Sequence, residues 1–562
     1  MPANFNNLLE KINGFGRYQK ICLSMVCIGS LLSGVASNII VLVLKSPSYH
    51  QPVNCQEINK NLTLGKPINV AWNASVSTLV TEFNLICDDT KYINLIQTCY
   101  MVGSLLGCLI LYLSDKYGRA LTSFLSCLLM GLCYIILPLS GQLPFSKNTN
   151  MDKVLNGKTF TVYFYAFWNL MFGLSYRFQM MVAYIYILEI TQQNRQSLSG
   201  ACINSFFPFG TILMAILSIF VSDWRELMRI FGYLAVGYLP FRWFYFEKSP
   251  KYLLSSKSGE VGVRRCYVVM MKIAMKNKQA IENQNNSSLD LLPVTTKAEP
   301  FLEQLRQIKN SETDPRNIKL QAKNKNIFAF TIFFKNGYYM TRTTIIICYI
   351  WGVTYAIYMG QTLSLGDLPG GLTGSLIFAA LSDLFACYIY EKLMDLPCLG
   401  RRGTLILANF IIGVCLILKS FVANFDLRDF DFDLDLVFAP KFINILVLIL
   451  AFTARIANYM VWCVIIQLSN EAYPTEFLAT AIGFLNIMAS FMAVSSPSVL
   501  FLKKYFDWLP SVVFGVASLV SCFLARYLPE TLKSVENGLH KVVELITLED
   551  AVDFYELQFG SI

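Results

Sequence analysis

Four charged side chains lie within long apolar stretches of the sequence: Arg177, Asp383, Lys419 and Arg455. Placing a charge in hydrocarbon is costly, so such residues usually pair with one another or contact a charged ligand. Lys419 lies near the end of its stretch, where a lysine side chain can extend to the membrane surface. The other three are therefore candidates to bind a charged solute, or to form an internal ion pair between Asp383 and one of the two arginines.

Aromatic residues share helical faces with both arginines. Tyr459 and Trp462 follow Arg455 at positions i+4 and i+7, and Tyr184 follows Arg177 at i+7. A third aromatic stripe has the same spacing but no charge: Trp351, Tyr355 and Tyr358. Aromatic stripes alone are typical of helix packing, but an arginine on the same face favours a binding surface.

The composition is that of a membrane protein. Of the 562 residues, 55% are hydrophobic and only 15% are charged, whereas a soluble protein has about 25% charged residues. The mean hydropathy is +0.48. The net charge of +9 favours loops that contact anionic lipid rather than a protein that binds nucleic acid.

The sequence argues against an enzyme and against a metal site. It has two histidines, His50 and His540, and neither lies in an apolar stretch, which disfavours a buried proton relay or a histidine-rich metal site. The segment Gly157-Lys158-Thr159 ends like a phosphate-binding loop but lacks the upstream glycine. We predict no cofactor, and coupling by substrate exchange, facilitated diffusion or ion symport rather than by ATP.

Twelve stretches are long enough to cross about 30 Å of hydrocarbon as helices. The first follows Lys11, Arg17 and Lys20 and is too long for a signal peptide, so we expect the N-terminus in the cytoplasm. The sequence predicts an all-α membrane protein with twelve transmembrane helices. The stretches are 21–44, 92–113, 121–140, 160–188, 197–221, 228–246, 341–365, 371–391, 403–423, 442–468, 479–501 and 508–528.

A turn containing glycine and arginine occurs once in each half of the chain. The first is Asp115-Lys116-Tyr117-Gly118-Arg119, after the second apolar stretch. The second is Gly400-Arg401-Arg402, after the eighth stretch, with Asp395 just upstream. Such a recurrence six helices later indicates a duplicated bundle, the architecture of many secondary transporters. We therefore predict two pseudo-symmetric six-helix bundles, residues 1–247 and 328–531.

Residues 45–91 form a long polar segment between the first two apolar stretches. The segment contains two sequons for N-glycosylation, at Asn61 and Asn73, and two cysteines, Cys55 and Cys87. The cysteines can pair if the loop faces an oxidising compartment. Together these features favour an exoplasmic loop, although sequons are common by chance.

The segment 248–327 between the bundles is basic at its start and is predicted to be cytoplasmic, as is the tail 532–562. Residues 260–278 are predicted to form an amphipathic helix at the membrane surface, and 279–326 to be largely disordered. The polar face of this helix would carry Arg264, Arg265, Lys272 and Lys276, and the apolar face Tyr267, Val268 and Met271.

Short motifs in the loops are similar to those of the organic cation, anion and zwitterion transporters of the major facilitator superfamily. They occur in the same order along nearly the whole chain except 279–326. They are Val80-Thr81-Glu82-Phe83-Asn84-Leu85-Ile86-Cys87-Asp88, Tyr184 with Glu189 and Arg195, Asp223-Trp224-Arg225, Ser249-Pro250-Lys251-Tyr252-Leu253-Leu254, Lys272-Ile273-Ala274-Met275-Lys276-Asn277, Trp351 with Tyr358 and Gly360, Glu471-Ala472-Tyr473-Pro474-Thr475, and Leu528-Pro529-Glu530-Thr531.

The resemblance implies a major facilitator fold in which the first, fourth, seventh and tenth helices line a central cavity. It also implies a latch of ion pairs at the cytoplasmic helix ends, which breaks and re-forms as one bundle rocks against the other. The latch residues would be Asp115, Gly118, Arg119, Glu189, Arg195, Gly400, Arg401, Arg402 and Glu471. The candidate substrate contacts are Arg177, Tyr184, Trp351, Tyr355, Tyr358, Asp383, Arg455, Tyr459 and Trp462.

The sequence departs from the family pattern at several of these positions. Leu111 stands where the family pattern has a glycine. Ala120, Asn169 and Leu478 stand where it has basic residues, and Lys248 stands where it has an acid. These departures predict a weaker latch. The position in the eleventh helix that is acidic in the family's cation carriers and basic in its anion carriers is Ser490, so it does not indicate the charge of the substrate.

The most direct interpretation is a carrier of small organic ions in the lipid bilayer, in the plasma membrane, with both termini cytoplasmic. Two arginines against one acid favour an anion or a zwitterion over a cation. Its candidate partners, besides the substrate and the lipid bilayer, are a coupling ion or a counter-substrate. The alternatives are a degenerate carrier fold acting as a receptor or structural membrane subunit, which the motif losses favour, and a sugar-porter-like carrier.

Overall fold

The computed structural model describes residues 8–9, 12, 14–44, 77–83, 85, 87–142, 151–255, 259–282, 301–307, 338–368, 372–393, 396, 399–423, 438–473, 478–528 and 530. Twelve long helices account for most of them, and each coincides with a predicted span. They are α1 (Arg17–Val43), α2 (Thr90–Leu109), α3 (Arg119–Ile136), α4 (Met151–Ile190), α5 (Gln193–Phe220), α6 (Trp224–Tyr245), α7 (Tyr338–Leu363), α8 (Leu372–Leu393), α9 (Gly400–Ala423), α10 (Phe438–Ala472), α11 (Leu478–Ala493) and α12 (Leu509–Ala525). Within the described residues, nine helices are long and apolar enough to cross a membrane.

The packing of the helices shows the predicted duplication. In the first bundle α1 packs on α5, α2 on α4, and α3 on both α4 and α6. The second bundle repeats each contact six helices later: α7 packs on α11, α8 on α10, and α9 on both α10 and α12. The bundles meet where α5 packs on α8 and α2 on α11, two contacts that a six-helix shift interchanges. The prediction of two pseudo-symmetric six-helix bundles is confirmed.

Glycines allow two helix pairs of the first bundle to approach closely. A Cβ atom on Gly34 of α1 would collide with the carbonyl oxygen of Phe207 on α5, and one on Gly210 with that of Leu31. Gly103 and Gly173 have the same reciprocal relation across α2 and α4, where each faces a backbone carbonyl of the other helix. Small residues are the usual means of bringing membrane helices into backbone contact.

We expect Gly34→Ala to destabilise the first bundle by about 1–3 kcal/mol, because a methyl group against backbone forces α1 and α5 apart. The matched control is Gly237→Ala on α6, where nothing lies within 4 Å of the added atom. The measurement is the thermal unfolding temperature of the purified protein. Equal unfolding temperatures for the two variants would contradict this account of the α1–α5 contact.

Two predicted spans are divided in the structure. After α2 ends, the hydrogen bonds from Leu111 to Cys108 and from Leu113 to Ile110 have i to i−3 spacing, and a separate helix, Tyr112–Tyr117, follows. After α11 ends at Ala493, the helix Ser496–Phe501 begins with Pro497 in its first turn. Proline cannot donate a backbone hydrogen bond, so it begins a new helix there rather than continuing the old one.

The helix Gly259–Glu282 between the bundles corrects one prediction. It packs against the first bundle with Val263, Cys266, Met270 and Ile273 buried, whereas Val268 of the predicted apolar face is 52% exposed. Asn277 joins the helix to the start of α1: its Oδ1 accepts a hydrogen bond from the Tyr18 N–H at 3.0 Å. Residues 301–307 are helical, and most of the remaining segment predicted to be disordered lies outside the described residues.

Part of the segment 45–91 is described. Cys87 is disulfide-bonded, and its predicted partner Cys55 lies outside the described residues, as do Asn61 and Asn73. Glu82 forms an ion pair with Arg225 at the start of α6. Arg225 also donates a hydrogen bond to the carbonyl oxygen of Pro138 at 3.0 Å. The segment is therefore fixed to the ends of α3 and α6.

Candidate functional site

A cavity lies between the two bundles. Five of the predicted substrate contacts line it: Arg177, Tyr355, Tyr358, Tyr459 and Trp462. They come from α4, α7 and α10, and α1 and α5 complete the wall with Ser37 and Phe207. A wall that is mostly aromatic with few polar groups is typical of a site for a small organic molecule.

Arg177 is the charged residue of this cavity. It is 2% exposed, its Nη2 donates to Asn486 Oδ1 at 3.0 Å, and its Nε has no hydrogen-bond partner. The guanidinium lies over the Tyr355 ring at 4.7 Å and over the Trp462 ring at 5.6 Å. Among the described residues, no carboxylate forms an ion pair with it. Arg177 is held by neutral groups and keeps its full positive charge.

Tyr355 joins the two bundles at the cavity. Its hydroxyl lies 3.0 Å from that of Tyr176 on α4 and 3.2 Å from Ser104 Oγ on α2. Two further contacts across the interface lie nearby: Tyr459 donates to the carbonyl oxygen of Asn204 at 3.1 Å, and Cys108 Sγ lies 3.3 Å from Ser490 Oγ. Together with the hydrogen bond from Arg177 to Asn486, these contacts between neutral groups join the bundles at the cavity.

Asp383 and Arg455 form a buried ion pair within the second bundle. Arg455 Nε donates to Asp383 Oδ1 at 2.9 Å and Nη2 donates to Oδ2 at 3.0 Å. Tyr358 donates to the same carboxylate at 3.1 Å, and Thr362 Oγ1 accepts from Arg455 Nη1 at 2.8 Å. Asp383 is 2% and Arg455 3% exposed. The opposite charges of the two side chains cancel, so the pair carries no net charge.

Asp383 and Arg455 do not line the central cavity themselves. Tyr358 separates them from it, with its ring 4.1 Å from the Arg455 guanidinium. Trp351 is also behind the wall, where it packs edge to face against Trp462 at 6.1 Å. Tyr184 lies away from the cavity, with its hydroxyl directed at Gly200 on α5.

Sequence reasoning missed several residues of the site. Tyr176, Met180, Phe207 and Met359 line the cavity, but uncharged residues of these types are common in any membrane helix. Asn486 carried a usable signal, because it is an amide in the middle of an apolar stretch.

A further charge was also missed in the first bundle. Arg242 is 1% exposed and donates to the hydroxyls of Ser123 and Tyr238.

The first Gly-Arg turn joins two helix ends within the first bundle. Arg119 at the start of α3 forms an ion pair with Glu189 near the end of α4, with 3.1 Å between Nη2 and Oε1. Arg195 is exposed, and its side chain forms no ion pair among the described residues. Nothing is described for the side chains of Asp115 and Glu471, so the role of the latch across the bundles stays a prediction.

The second turn binds a carboxylate that the latch prediction did not include. Glu530, just after α12, accepts hydrogen bonds from the backbone N–H groups of Arg401 at 3.0 Å and Arg402 at 3.2 Å. These are the first N–H groups of α9, where negative charge is stabilising. Gly400 has φ +61°, in the left-handed region that favours glycine.

We expect Gly400→Ala to destabilise the second bundle by about 1–3 kcal/mol, from the positive φ and from crowding of Glu530. An added Cβ would lie 2.7 Å from the Glu530 carboxyl carbon. Gly403→Ala, in the same helix, is the control. The added Cβ there would lie 3.5 Å from the Leu399 Cβ, which is an ordinary van der Waals contact. Thermal unfolding measures both, and a neutral Gly400→Ala would be evidence against a strained, carboxylate-capped turn.

Comparison with known proteins agrees with this architecture. The family model of the major facilitator superfamily matches residues 25–497. Organic cation transporter 1 of Caenorhabditis elegans is 24% identical over 594 residues, covering 98% of this chain and 89% of that protein. Solute carrier family 22 member 3 of Rattus norvegicus is 22% identical over 457 residues, covering 81% of this chain and 70% of its own length.

Solved structures give the same fold. The partially occluded, inward-open xylose transporter XylE from E. coli superimposes with a TM-score of 0.59, covering 92% of this chain and 98% of its own at 15% identity. Identity this low shows the fold alone. The chain belongs to the major facilitator superfamily, and its predicted likeness to the organic cation, anion and zwitterion carriers of that superfamily is confirmed.

Proposed function

We propose that this membrane transporter carries small organic anions, or zwitterions with an exposed anionic group, by alternating access. The observation that carries the proposal is the charge of the central cavity. Arg455 is neutralised by Asp383, whereas Arg177 lies against neutral partners in the cavity wall. An uncompensated positive charge in a medium of low polarity attracts a negative group strongly.

The rest of the wall fits a planar, apolar body attached to that negative group. Tyr176, Tyr358, Tyr459 and Trp462 line the same cavity as Arg177, and aromatic rings stack on aromatic ligands or meet their edges favourably. The carboxylate or sulfonate of a ligand would bind the guanidinium through two N–H groups. The proposed substrate is therefore an aromatic or similarly compact organic anion.

The contacts between the bundles support alternating access. Three of them are hydrogen bonds between neutral groups. The fourth is the hydrogen bond from Arg177 to the side-chain amide of Asn486. A typical neutral hydrogen bond contributes about 0.5–1.5 kcal/mol. A few such bonds can be exchanged for others at low cost when one bundle rocks against the other. A substrate that binds one arrangement more tightly than the other would shift the equilibrium between them.

A cation carrier is the second candidate, and the names of relatives favour it. Several similar proteins are called organic cation transporters. Among the described residues of the membrane helices, the buried acid near the cavity is Asp383, which is bound to Arg455 and lies behind Tyr358. A cation would have to displace an arginine from a bidentate pair, which is why we favour the anion.

The test is uptake into liposomes that contain the purified protein. We choose radiolabelled benzenesulfonate as the anion, because a sulfonate stays ionised and does not cross lipid unaided. Tetraethylammonium, glycine betaine and glucose represent the cation, zwitterion and sugar alternatives. We expect saturable benzenesulfonate uptake, competed by excess unlabelled ligand and absent from protein-free liposomes.

Each other result overturns the anion proposal in a defined way. Uptake of tetraethylammonium alone would establish the cation carrier, and uptake of glucose alone the sugar-porter-like carrier. Saturable uptake of the betaine but not the sulfonate would restrict the substrate to zwitterions. If a thermal unfolding measurement shows that the protein is folded but no probe is taken up, a receptor or structural subunit is favoured.

We further propose that the protein lies in the plasma membrane with both termini in the cytoplasm. The disulfide of Cys87 supports an oxidising environment for the segment 45–91. The basic start of the segment 248–327 supports a cytoplasmic position for the opposite side. Tags at each terminus that bind antibody only in permeabilised cells would support this orientation, and binding in intact cells would refute it.

A further inference from the structure

The helix Gly259–Glu282 presents apolar side chains on the face that points away from the first bundle. Val261 and Val268 are each 52% exposed, and Met275 is 48% exposed. They recur every seven residues and therefore lie along one line of the helix, with Met271 beside them. The described residues leave much of the three side chains uncovered. We call Val261, Val268, Met271 and Met275 the outer stripe.

Arginines lie along the first half of the outer stripe. Arg264 interrupts the stripe and Arg265 borders it, and both are exposed. Glu260 lies near them, but its carboxylate is shared: it is 3.8 Å from Arg264 Nε and 2.6 Å from Arg306 Nη2. Among the described residues, no carboxylate forms an ion pair with Arg265. This half of the stripe therefore carries more positive than negative charge.

Lysines border the second half of the outer stripe. Lys272 follows Arg265 by seven residues, so the two lie on the same side of the stripe. The Nζ atoms of Lys272 and Lys276 lie 3.7 and 3.8 Å from the same oxygen of Glu247, so one carboxylate faces two ammonium groups. A partner that fits would present an apolar helical face bordered by two acids seven residues apart.

The segment 542–559, which lies outside the described residues, has a sequence of that kind. It contains five acidic residues and no basic residue. Two of the acids, Glu549 and Glu556, are seven residues apart, and each directly follows an apolar residue. The apolar residues recur at alternating intervals of three and four, the spacing of one face of an amphipathic helix. They are Leu545, Leu548, Val552, Tyr555 and Phe559.

The fold brings this segment to the side of the membrane on which the outer stripe lies. The helix Gly259–Glu282 follows α6 and the segment follows α12, and these two helices are equivalent in the two bundles. Glu530 is held at the first N–H groups of α9. Residues 531–541 span up to about 40 Å when extended, which is more than three helix diameters of about 10–12 Å. The segment can therefore reach from the second bundle to the first.

We propose that the outer stripe is the docking surface for the segment 542–559 of the same chain, which binds there as an antiparallel helix. In an antiparallel pair of helices, equivalent heptad positions face each other. Glu549 then meets Lys272, and Glu556 meets Arg265. Such charged pairs beside an apolar seam set the choice and the orientation of a partner helix. Docking ties the end of the second bundle to the first bundle and restrains their separation on this side of the membrane.

An anionic lipid surface is the competing partner for a basic helix face. Helices that lie in the membrane interface typically carry Trp, Phe or Leu on a continuous apolar face. The outer stripe consists of valines and methionines and is interrupted by Arg264. Bases that alternate with the apolar residues of the stripe are better matched by acids on a second helix. The proposal does not depend on the transported substrate.

The experiment treats the purified full-length protein in detergent with a carbodiimide, which joins a lysine amine to a carboxylate in contact with it. Proteolysis and mass spectrometry identify the joined peptides. We expect a link between Lys272 and Glu549 in the monomer. A link from Lys272 or Lys276 to Glu247 is the internal control, because these contacts are present in the fold. The control link without any link to Glu549 would refute the docking.

Charge reversal tests the predicted register. Arg265→Glu should lower the yield of the Lys272–Glu549 link about tenfold, because a like-charge pair replaces an ion pair with Glu556. Adding Glu556→Arg to this variant should restore the yield. Lys91→Glu is the matched control, since it makes the same change of charge at an exposed position at the start of α2, on the opposite side of the membrane. An equal loss in the control, or no restoration in the double variant, would overturn the register.

Two further results would name another partner for the stripe. A Lys272–Glu549 link found only in a cross-linked dimer would assign the docked segment to a second copy of the chain. The same reaction in liposomes tests the lipid alternative. We expect the link in phosphatidylcholine liposomes and in liposomes that also contain phosphatidylserine. Loss of the link in the phosphatidylserine liposomes alone would show that anionic lipid covers the stripe, and would overturn the proposal.

Discussion

Replacing Arg177 with glutamine is expected to reduce kcat/KM for saturable benzenesulfonate uptake about 10- to 100-fold, with the amount of folded protein unchanged. The reason is that a hydrogen bond to a charged partner contributes about 1.5–3 kcal/mol, and Arg177 is the cation that lines the cavity. Arg177→Lys should not restore uptake, because an ammonium lacks the planar, two-donor geometry of guanidinium.

The control is Arg264→Gln. Arg264 lies on the helix Gly259–Glu282, where its side chain is 73% exposed and its contact with Glu260 is a distant 3.8 Å. Removing this charge changes the net charge equally but should leave uptake unaffected, because such exposed pairs contribute little. Normal benzenesulfonate uptake by Arg177→Gln, or an equal loss in both variants, would refute the role proposed for Arg177.

Breaking the Asp383–Arg455 pair is expected to destabilise the protein by about 3–5 kcal/mol, because either change leaves one buried charge uncompensated. Asp383→Leu and Arg455→Met are the single variants, and the two substitutions together give the double variant. The double variant should be close to the wild type in stability, since it removes both charges from a site where each is less than 5% exposed.

The thermal unfolding temperatures of these variants form a double-mutant cycle. If each single variant is much less stable than the double variant, the effects are strongly non-additive. This result would support our account, in which the main role of each charge is to neutralise the other. If the destabilisations simply add, Asp383 and Arg455 contribute through separate contacts and our account of the pair is wrong.

The twelve helices could be predicted from the sequence, because a chain in hydrocarbon must hydrogen-bond its own backbone. The divided spans could not be predicted in full. Pro497 is a visible signal for the end of α11, but the turn after α2 has neither proline nor glycine at its centre. Likewise, an amphipathic pattern predicts the helix Gly259–Glu282, but the face that packs is set by its contact with α1 through Asn277.

The sequence by itself determined that Arg177, Asp383 and Arg455 lie in the membrane, since each is surrounded along the chain by apolar residues. Only the tertiary structure decided which arginine the carboxylate neutralises. Asp383 on α8 meets Arg455 on α10 within one bundle, at 2.9 Å, whereas Arg177 on α4 belongs to the other bundle and meets Asn486. Residues distant in sequence become neighbours through helix packing, and that packing, which no local pattern encodes, leaves Arg177 as the charge available to a substrate.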